Sequence, residues 1–235
     1  QAKARESGAS DVLLPPGLRA EDMARPGARA GGAGRMWMTS LEHRFASGAA
    51  IDLKWSMVDE ETDALGSSGD GAFDLGGGAR SQFASLSWTA PIAPRVNVFG
   101  SYTRGMTSMP ERGTGLLRDW SRVDSDSFTA GVVARGLFSE NDQAGLLIGQ
   151  PLRVSGARAT LAAPVARDLG GNVIISEQRV GLAPSGRERD IALSYTWERA
   201  PGVALSSQGV LRLEPGHVAG AKSDLGLLLS LRVQF

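Results

Sequence analysis

Asp224-Leu-Gly-Leu-Leu-Leu-Ser-Leu-Arg-Val-Gln-Phe235 is the stretch whose reading decides the fold. Leu227, Leu229, Leu231, Val233 and Phe235 fall on alternate positions, with Ser230, Arg232 and Gln234 between them. Successive side chains of a strand point to opposite faces, so this pattern builds a strand with one apolar face. Strands in globular proteins usually run to about 5–6 residues. A strand that crosses the hydrocarbon of a bilayer needs roughly 9–11. The length of this segment favours the second.

The same period of two runs back through the chain. Ile51, Leu53, Trp55 and Met57 alternate with Asp52, Lys54 and Ser56. Ile191, Leu193, Tyr195 and Trp197 alternate with Ala192, Ser194, Thr196 and Glu198. Eleven segments carry the pattern, near 35–45, 48–58, 79–90, 94–104, 125–137, 142–153, 157–165, 171–181, 188–198, 203–213 and 224–235. The connections fall into two groups. Those at 46–48, 90–94, 139–142 and 199–202 are short, whereas those at 59–78, 105–124 and 214–223 are long. Short turns at one end and long loops at the other are the habit of membrane barrels, which in bacteria usually have an even strand number. The expected architecture is therefore all-β: a transmembrane antiparallel up-and-down β-barrel of about 12 strands over residues 35–235. Residues 1–34 differ, being rich in Ala, Gly and Arg and interrupted by Pro15, Pro16 and Pro26. They read as a linker or plug, with a short helix around Arg19 to Arg25 that Pro26 stops.

Inside lipid every backbone N–H and C=O must pair with a neighbouring strand, and closing the sheet removes its two edges. The outer face must then be apolar, while the lumen stays polar. Trp37, Trp55, Trp88, Tyr195 and Trp197 lie in the apolar register and are expected to form an aromatic girdle at the membrane interfaces. Arg135, Glu198, Arg212 and Arg232 lie in the polar register and are expected to face the lumen. An Arg facing lipid at mid-depth would cost roughly 2–4 kcal/mol.

The terminal pattern Leu227-x-Leu229-x-Leu231-x-Val233-x-Phe235 resembles the C-terminal signature of outer-membrane barrels. That resemblance implies recognition of these five residues by the barrel assembly machinery. A narrower resemblance covers residues 125–235. Ser127-Phe-Thr-Ala-Gly-Val132, Arg135-Gly-Leu-Phe138, Gln150-Pro-Leu-Arg-Val154, Leu182-Ala-Pro-Ser-Gly-Arg-Glu188 and Leu213-Glu-Pro-Gly-His217 look like the C-terminal region of autotransporters. The likeness is to those whose passengers are subtilisin-like serine peptidases. This implies a type V secretion translocator in the outer membrane of a Gram-negative bacterium. It also implies twelve strands, outer-membrane lipid as surroundings, and the chain's own N-terminal passenger as cargo. Residues 1–34 would be the segment leading to that passenger. Some autotransporters cut their linker at an Asn inside the barrel. The asparagines here are Asn97, Asn141 and Asn172, all past that segment, so this cleavage is not expected.

Other chemistries find little purchase. Cysteine is absent, which removes disulfides and thiolate metal sites. The net charge is zero, so the global electrostatic footprint of a nucleic-acid binder is missing. No run approaches the roughly 18 apolar residues of a membrane helix. His43 and His217 are the two histidines, and neither has a ligand partner at metal spacing. Met106-Thr-Ser-Met-Pro110 echoes a subtilisin nucleophile motif but lacks the Gly directly before its Thr, and it is read as part of a charged loop. The acidic run Asp59-Glu60-Glu61 with Asp63 reads as a solvated loop. No enzyme activity and no cofactor are expected of this segment. A small porin-like channel or structural barrel, a barrel enzyme and a soluble β-sandwich are the competing readings. Deleting Phe235 is expected to lower the membrane-assembled protein several-fold in fractionated cells, and far more than replacing residues 106–110 does. Wild-type membrane levels of the deletion would remove the terminal-signal reading.

Overall fold

A computed structural model describes residues 34–60, 78–109, 115–200 and 203–233, without the side chains of 199 and 200. The linker or plug expected before Gly34 therefore lies outside the described residues, as do Glu61, Asp63, Pro110 and Phe235. Every one of the eleven expected segments is a strand, with ends displaced by a few residues. The strands are β1 (Gly34–Arg44), β2 (Ala50–Glu60), β3 (Arg80–Ala93), β4 (Val96–Ser108), β5 (Leu117–Arg118), β6 (Val123–Arg135), β7 (Asp142–Gly156), β8 (Arg158–Arg167), β9 (Val173–Gly181), β10 (Arg189–Ala200), β11 (Val203–Leu213) and β12 (Asp224–Val233). β4 runs on to Ser108, so Met106 to Ser108 lie in a strand paired with β3 rather than in a loop.

The pairing differs from the twelve-strand expectation. Nine strands form one antiparallel meander in the order β1-β2-β3-β4-β6-β7-β10-β11-β12. β5, β8 and β9 form a separate three-stranded sheet. After Gly156 the chain leaves the main sheet, and the Leu182 N–H donates to the Ala157 carbonyl at 3.0 Å to close the base of the excursion. Residues 158–181 thus pair with each other, and β7 takes β10 as its neighbour. Alternation is a local property and cannot say which ladder a segment will join. No β1–β12 pairing occurs among the described residues.

Directly opposed residues of an antiparallel pair share a face. The ladders therefore carry one face across the whole meander. One row runs His43, Ile51, Trp88, Gly100, Ala130, Ile148, Ile191, Leu211 and Leu225. The adjacent rows on that face hold Leu53, Leu86 and Tyr102 on one side and Val132, Leu146 and Leu193 on the other. This face is solvent-exposed: Leu53 is 53%, Leu193 62% and Leu227 75% accessible. A two-layer sandwich would bury such residues, so the soluble-sandwich reading does not fit.

From β2 to β11 the opposite face is sheltered and most of its residues are small or polar; on β1 and β12 it is exposed and carries Met36, Met38 and Leu228. Ser81, Thr107 and Ser125 are at most 1% accessible, and Ala192 and Ala204 are buried. Hydroxyls pair across the strands there, with Ser81 to Thr107 and Ser85 to Thr103 each at 2.8 Å. The larger rings on this face lie over glycines: Phe83 opposite Gly105, and Phe99 opposite Gly131. On the outer face Trp88 lies over Gly100 in the same way. A Cβ on Gly131 would sit 2.6 Å from the Leu146 carbonyl oxygen and against the Phe99 ring. Gly131→Val is accordingly expected to destabilise the fold by about 1–3 kcal/mol, the usual range for overpacking. Denaturant unfolding in detergent checks this, and an unchanged midpoint would contradict it.

Candidate functional site: an apolar band, a polar inner face and a rim clasp

The exposed face is not apolar along its whole length. Toward the long-loop end the last apolar residues are Met57 on β2, Ala84 on β3, Tyr102 on β4, Phe128 on β6, Ile148 on β7 and Ile191 on β10. The next residues in the same register are Asp59, Gln82, Arg104, Asp126, the buried Gln150 beside a bulge of β6, and Arg189. Met106 lies past this edge on β4. The edge does not follow the hydrogen-bond rows. Met57 is opposite Gln82, and Ala84 is opposite Arg104, so the edge slips down the ladders. Between β2 and β10 it slips by six residues over five strand-to-strand steps. With roughly 3.3 Å per residue and 4.8 Å between strands, the edge is level when the strands tilt by about 40°. Strands of membrane barrels tilt by roughly 35–45°.

All five expected girdle residues lie on the exposed face. Trp37 adjoins Arg35 at the long-loop edge, and Trp55 is one outward position inside Met57. Tyr195 and Trp197 lie toward the short-turn end, where Phe138 meets Tyr195 edge-on at 5.9 Å. Trp88 sits further inside the band. Leu227, Leu229, Leu231 and Val233 share this face on β12, opposite Gly209, Ser207, Leu205 and Val203. His43 is there too, edge-on to Phe45 at 4.6 Å.

The four charges expected in the lumen share the face opposite the apolar band, and all four are exposed there. Glu198 and Arg232 stand in one row on either side of Ala204. Arg212 stands between Asp190 and Asp224 and pairs with Asp224 at 3.5 Å. Arg135 lies opposite Gln143 near the short turns, its Nε donating to Gln143 Oε1 at 3.4 Å. Thr107, in the segment echoing a nucleophile motif, has its hydroxyl engaged by Ser81. Asp59 of the acidic run pairs with Arg80 at 2.6 Å.

At the long-loop rim, three of the stretches quoted above converge. Arg153 donates from Nε to the Gly186 carbonyl at 2.9 Å and from Nη2 to the Pro184 carbonyl at 3.0 Å. The Gly186 N–H donates to the His217 carbonyl at 2.7 Å, and the Glu188 N–H donates to His217 Nδ1 at 2.9 Å. Because Nδ1 accepts, Nε2 carries the hydrogen and faces the Leu152 carbonyl at 3.3 Å. The two carboxylates cross over. Glu188 accepts the Gly216 N–H at 2.7 Å, and Glu214 accepts those of Arg187 at 2.8 Å and Gly220 at 3.3 Å. The Arg187 and Gly220 N–H groups hold the Glu214 carboxyl below its ordinary range. Glu214 and His217 adopt left-handed φ values of 51° and 58°, which strain residues other than glycine. The sequence marks this clasp only as turn residues. Pro215-Gly216 between Glu214 and His217 is the signal, but the partners are backbone groups and leave no pattern.

Comparison with protein-family models, with curated proteins and with solved structures returns no match.

Two outcomes follow for the clasp. A Cβ on Gly186 would meet the Val218 carbonyl carbon at 2.6 Å and Ala219 Cα at 2.8 Å. Gly186→Ala is thus expected to expose residues 182–188 and 214–220 to limited proteolysis while the strands stay protected. The lowered Glu214 value means its bonds are intact above the ordinary carboxylate range and lost as pH falls through the lowered value. Cleavage of the same loops by an acid-active protease should rise on acidification. A cleavage pattern independent of both changes would contradict the clasp.

Proposed function

We propose that the chain is a translocator barrel of the outer membrane of a Gram-negative bacterium. It anchors and exports its own N-terminal passenger, of the subtilisin-like peptidase class. The observation that carries the membrane part is the tilted apolar band. A face this apolar and this exposed is unfavourable in water, and it suits hydrocarbon. Its level edge at about 40° of strand tilt supports insertion at the inclination barrels adopt. The hydroxyl-lined inner face supports a polar interior. The translocator part rests on the autotransporter resemblance, three stretches of which meet at one rim. The lipid, the assembly machinery acting on β12 and Phe235, and the passenger are the partners of this reading.

The meander has an odd number of strands, so β1 and β12 run in the same direction. Closure then takes either a parallel β1–β12 seam or one further strand running the other way. The polar inner face would serve a small porin-like channel equally well, and the presence or absence of an exported passenger separates the two.

The test compares the migration of membrane-extracted protein on SDS gels with and without boiling. A closed barrel resists SDS unheated and shifts on boiling. Leu229→Arg, on the apolar band, is expected to cost about 2–4 kcal/mol and to abolish the unheated compact form. Ser206→Arg, on the inner face, is expected to retain it. A chain recovered in the soluble fraction without a shift would overturn the proposal.

A further inference from the structure

The two halves of the sheltered face are built differently. Over β3, β4, β6 and β7 it is packed. Phe83 and Phe99 lie over glycines, Val133 and Leu147 are buried, and the hydroxyls of Ser81, Ser85, Thr103 and Thr107 are spent on one another. Over β10, β11 and β12 it is open. A cavity of about 230 Å³ lies there, lined by Ser194, Thr196, Ser206, Gln208, Ser230 and Arg232 among others. Thr196, Ser206 and Ser230 form one cross-strand row, and Ser194, Gln208 and the apolar Leu228 form the next. Only Thr196 and Ser206 bond to each other, at 3.2 Å. Ser194, Gln208, Ser230 and Arg232 have no side-chain hydrogen-bond partner among the described residues. Charged rows bound this floor at both ends: Glu198 and Arg232 toward the short turns, and Asp190, Arg212 and Asp224 toward the long loops.

We propose that this hydroxyl floor over β10–β12 is the surface on which an extended polypeptide lies as it passes the sheet. Arg232 is the cationic contact for acidic or carbonyl groups. The inference rests on the translocator reading and adds the wall that the cargo uses. An extended peptide presents alternating N–H donors and C=O acceptors. A hydroxyl both donates and accepts, so it meets either group without fixing a register. Ser194 on β10 and Ser230 on β12 are such hydroxyls, the Gln208 amide on β11 likewise both donates and accepts, and their neutrality keeps the hold weak enough for the chain to move on. The packed half also leaves a hydroxyl without a partner, that of Ser125, but it is buried, and the rings of Phe83 and Phe99 with Val133 and Leu147 leave no comparable room over it.

The experiment uses the whole precursor exported by living cells, with a photocrosslinking benzophenone amino acid at single positions. Ser206 and Ser230 probe the floor, Ser85 and Thr103 the packed wall of the same face, and Leu205 the lipid side. Adducts to the upstream polypeptide are expected from Ser206 and Ser230, several-fold fewer from Ser85 and Thr103, and none from Leu205. Arg232→Gln should slow appearance of the passenger outside the cell several-fold while heat-dependent gel migration stays normal. Equal adducts from both walls would overturn the floor and leave the translocator standing. Export without adducts at any inward position would overturn both.

Discussion

Backbone hydrogen bonding across the meander is the constraint on which the rest depends. A peptide group left unpaired in hydrocarbon costs several kcal/mol. In the membrane reading proposed above, every segment of the main sheet would have to be a strand long enough to cross, and each interior strand is laddered on both sides. Side chains are then free to be large and apolar outside and small and polar inside. Large apolar side chains do crowd the exposed face, and the opposite face is mostly small or polar, with Phe83, Phe99, Val133 and Leu147 among its exceptions.

The stagger of the apolar edge follows from the same constraint. In the proposed barrel, strands curving toward closure would incline to the axis, so a level boundary would cut across the ladders. The edge from Met57 to Ile191 does so. The outer wall needs large side chains and the inner wall little bulk, which is why Phe83 and Phe99 require Gly105 and Gly131 beside them. The rim clasp belongs to the same economy. The long loops lie beyond the ladders, and Arg153, Glu188, Glu214 and His217 satisfy backbone groups that no neighbouring strand reaches.

Much of this was legible in the sequence, for definite reasons. Alternation fixed which residues share a face, so Arg135, Glu198, Arg212 and Arg232 could be assigned to the polar side before any ladder was known. It also marked all eleven long strands. It could not mark the two-residue β5, nor foretell that β8 and β9 pair with each other and leave β7 to β10, because partner choice is non-local. It ended β4 too early, with a false loop from residue 105, because the charged Arg104 broke the apolar half of the pattern while the strand continued to Ser108. The clasp was invisible for another reason. Its side chains bind carbonyls and N–H groups, which nearly every residue possesses, and nothing in Pro215-Gly216-His217 beyond a turn pattern marks a ring that is buried and bonded at both nitrogens.

The central claim is that one face meets lipid along a boundary tilted against the ladders. The chain has no cysteine, so a single introduced thiol can carry the only spin label in the protein. The most direct measurement is the accessibility of such labels, in lipid vesicles, to oxygen and to a water-soluble nickel complex. Labels at Leu53, Leu86, Leu193 and Leu205 should favour oxygen, and those at Ser194 and Ser206 nickel. The switch from oxygen to nickel should fall between Met57 and Asp59 on β2 and between Ile191 and Arg189 on β10. Nickel access on both faces, or a switch that follows a single hydrogen-bond row, would contradict the account.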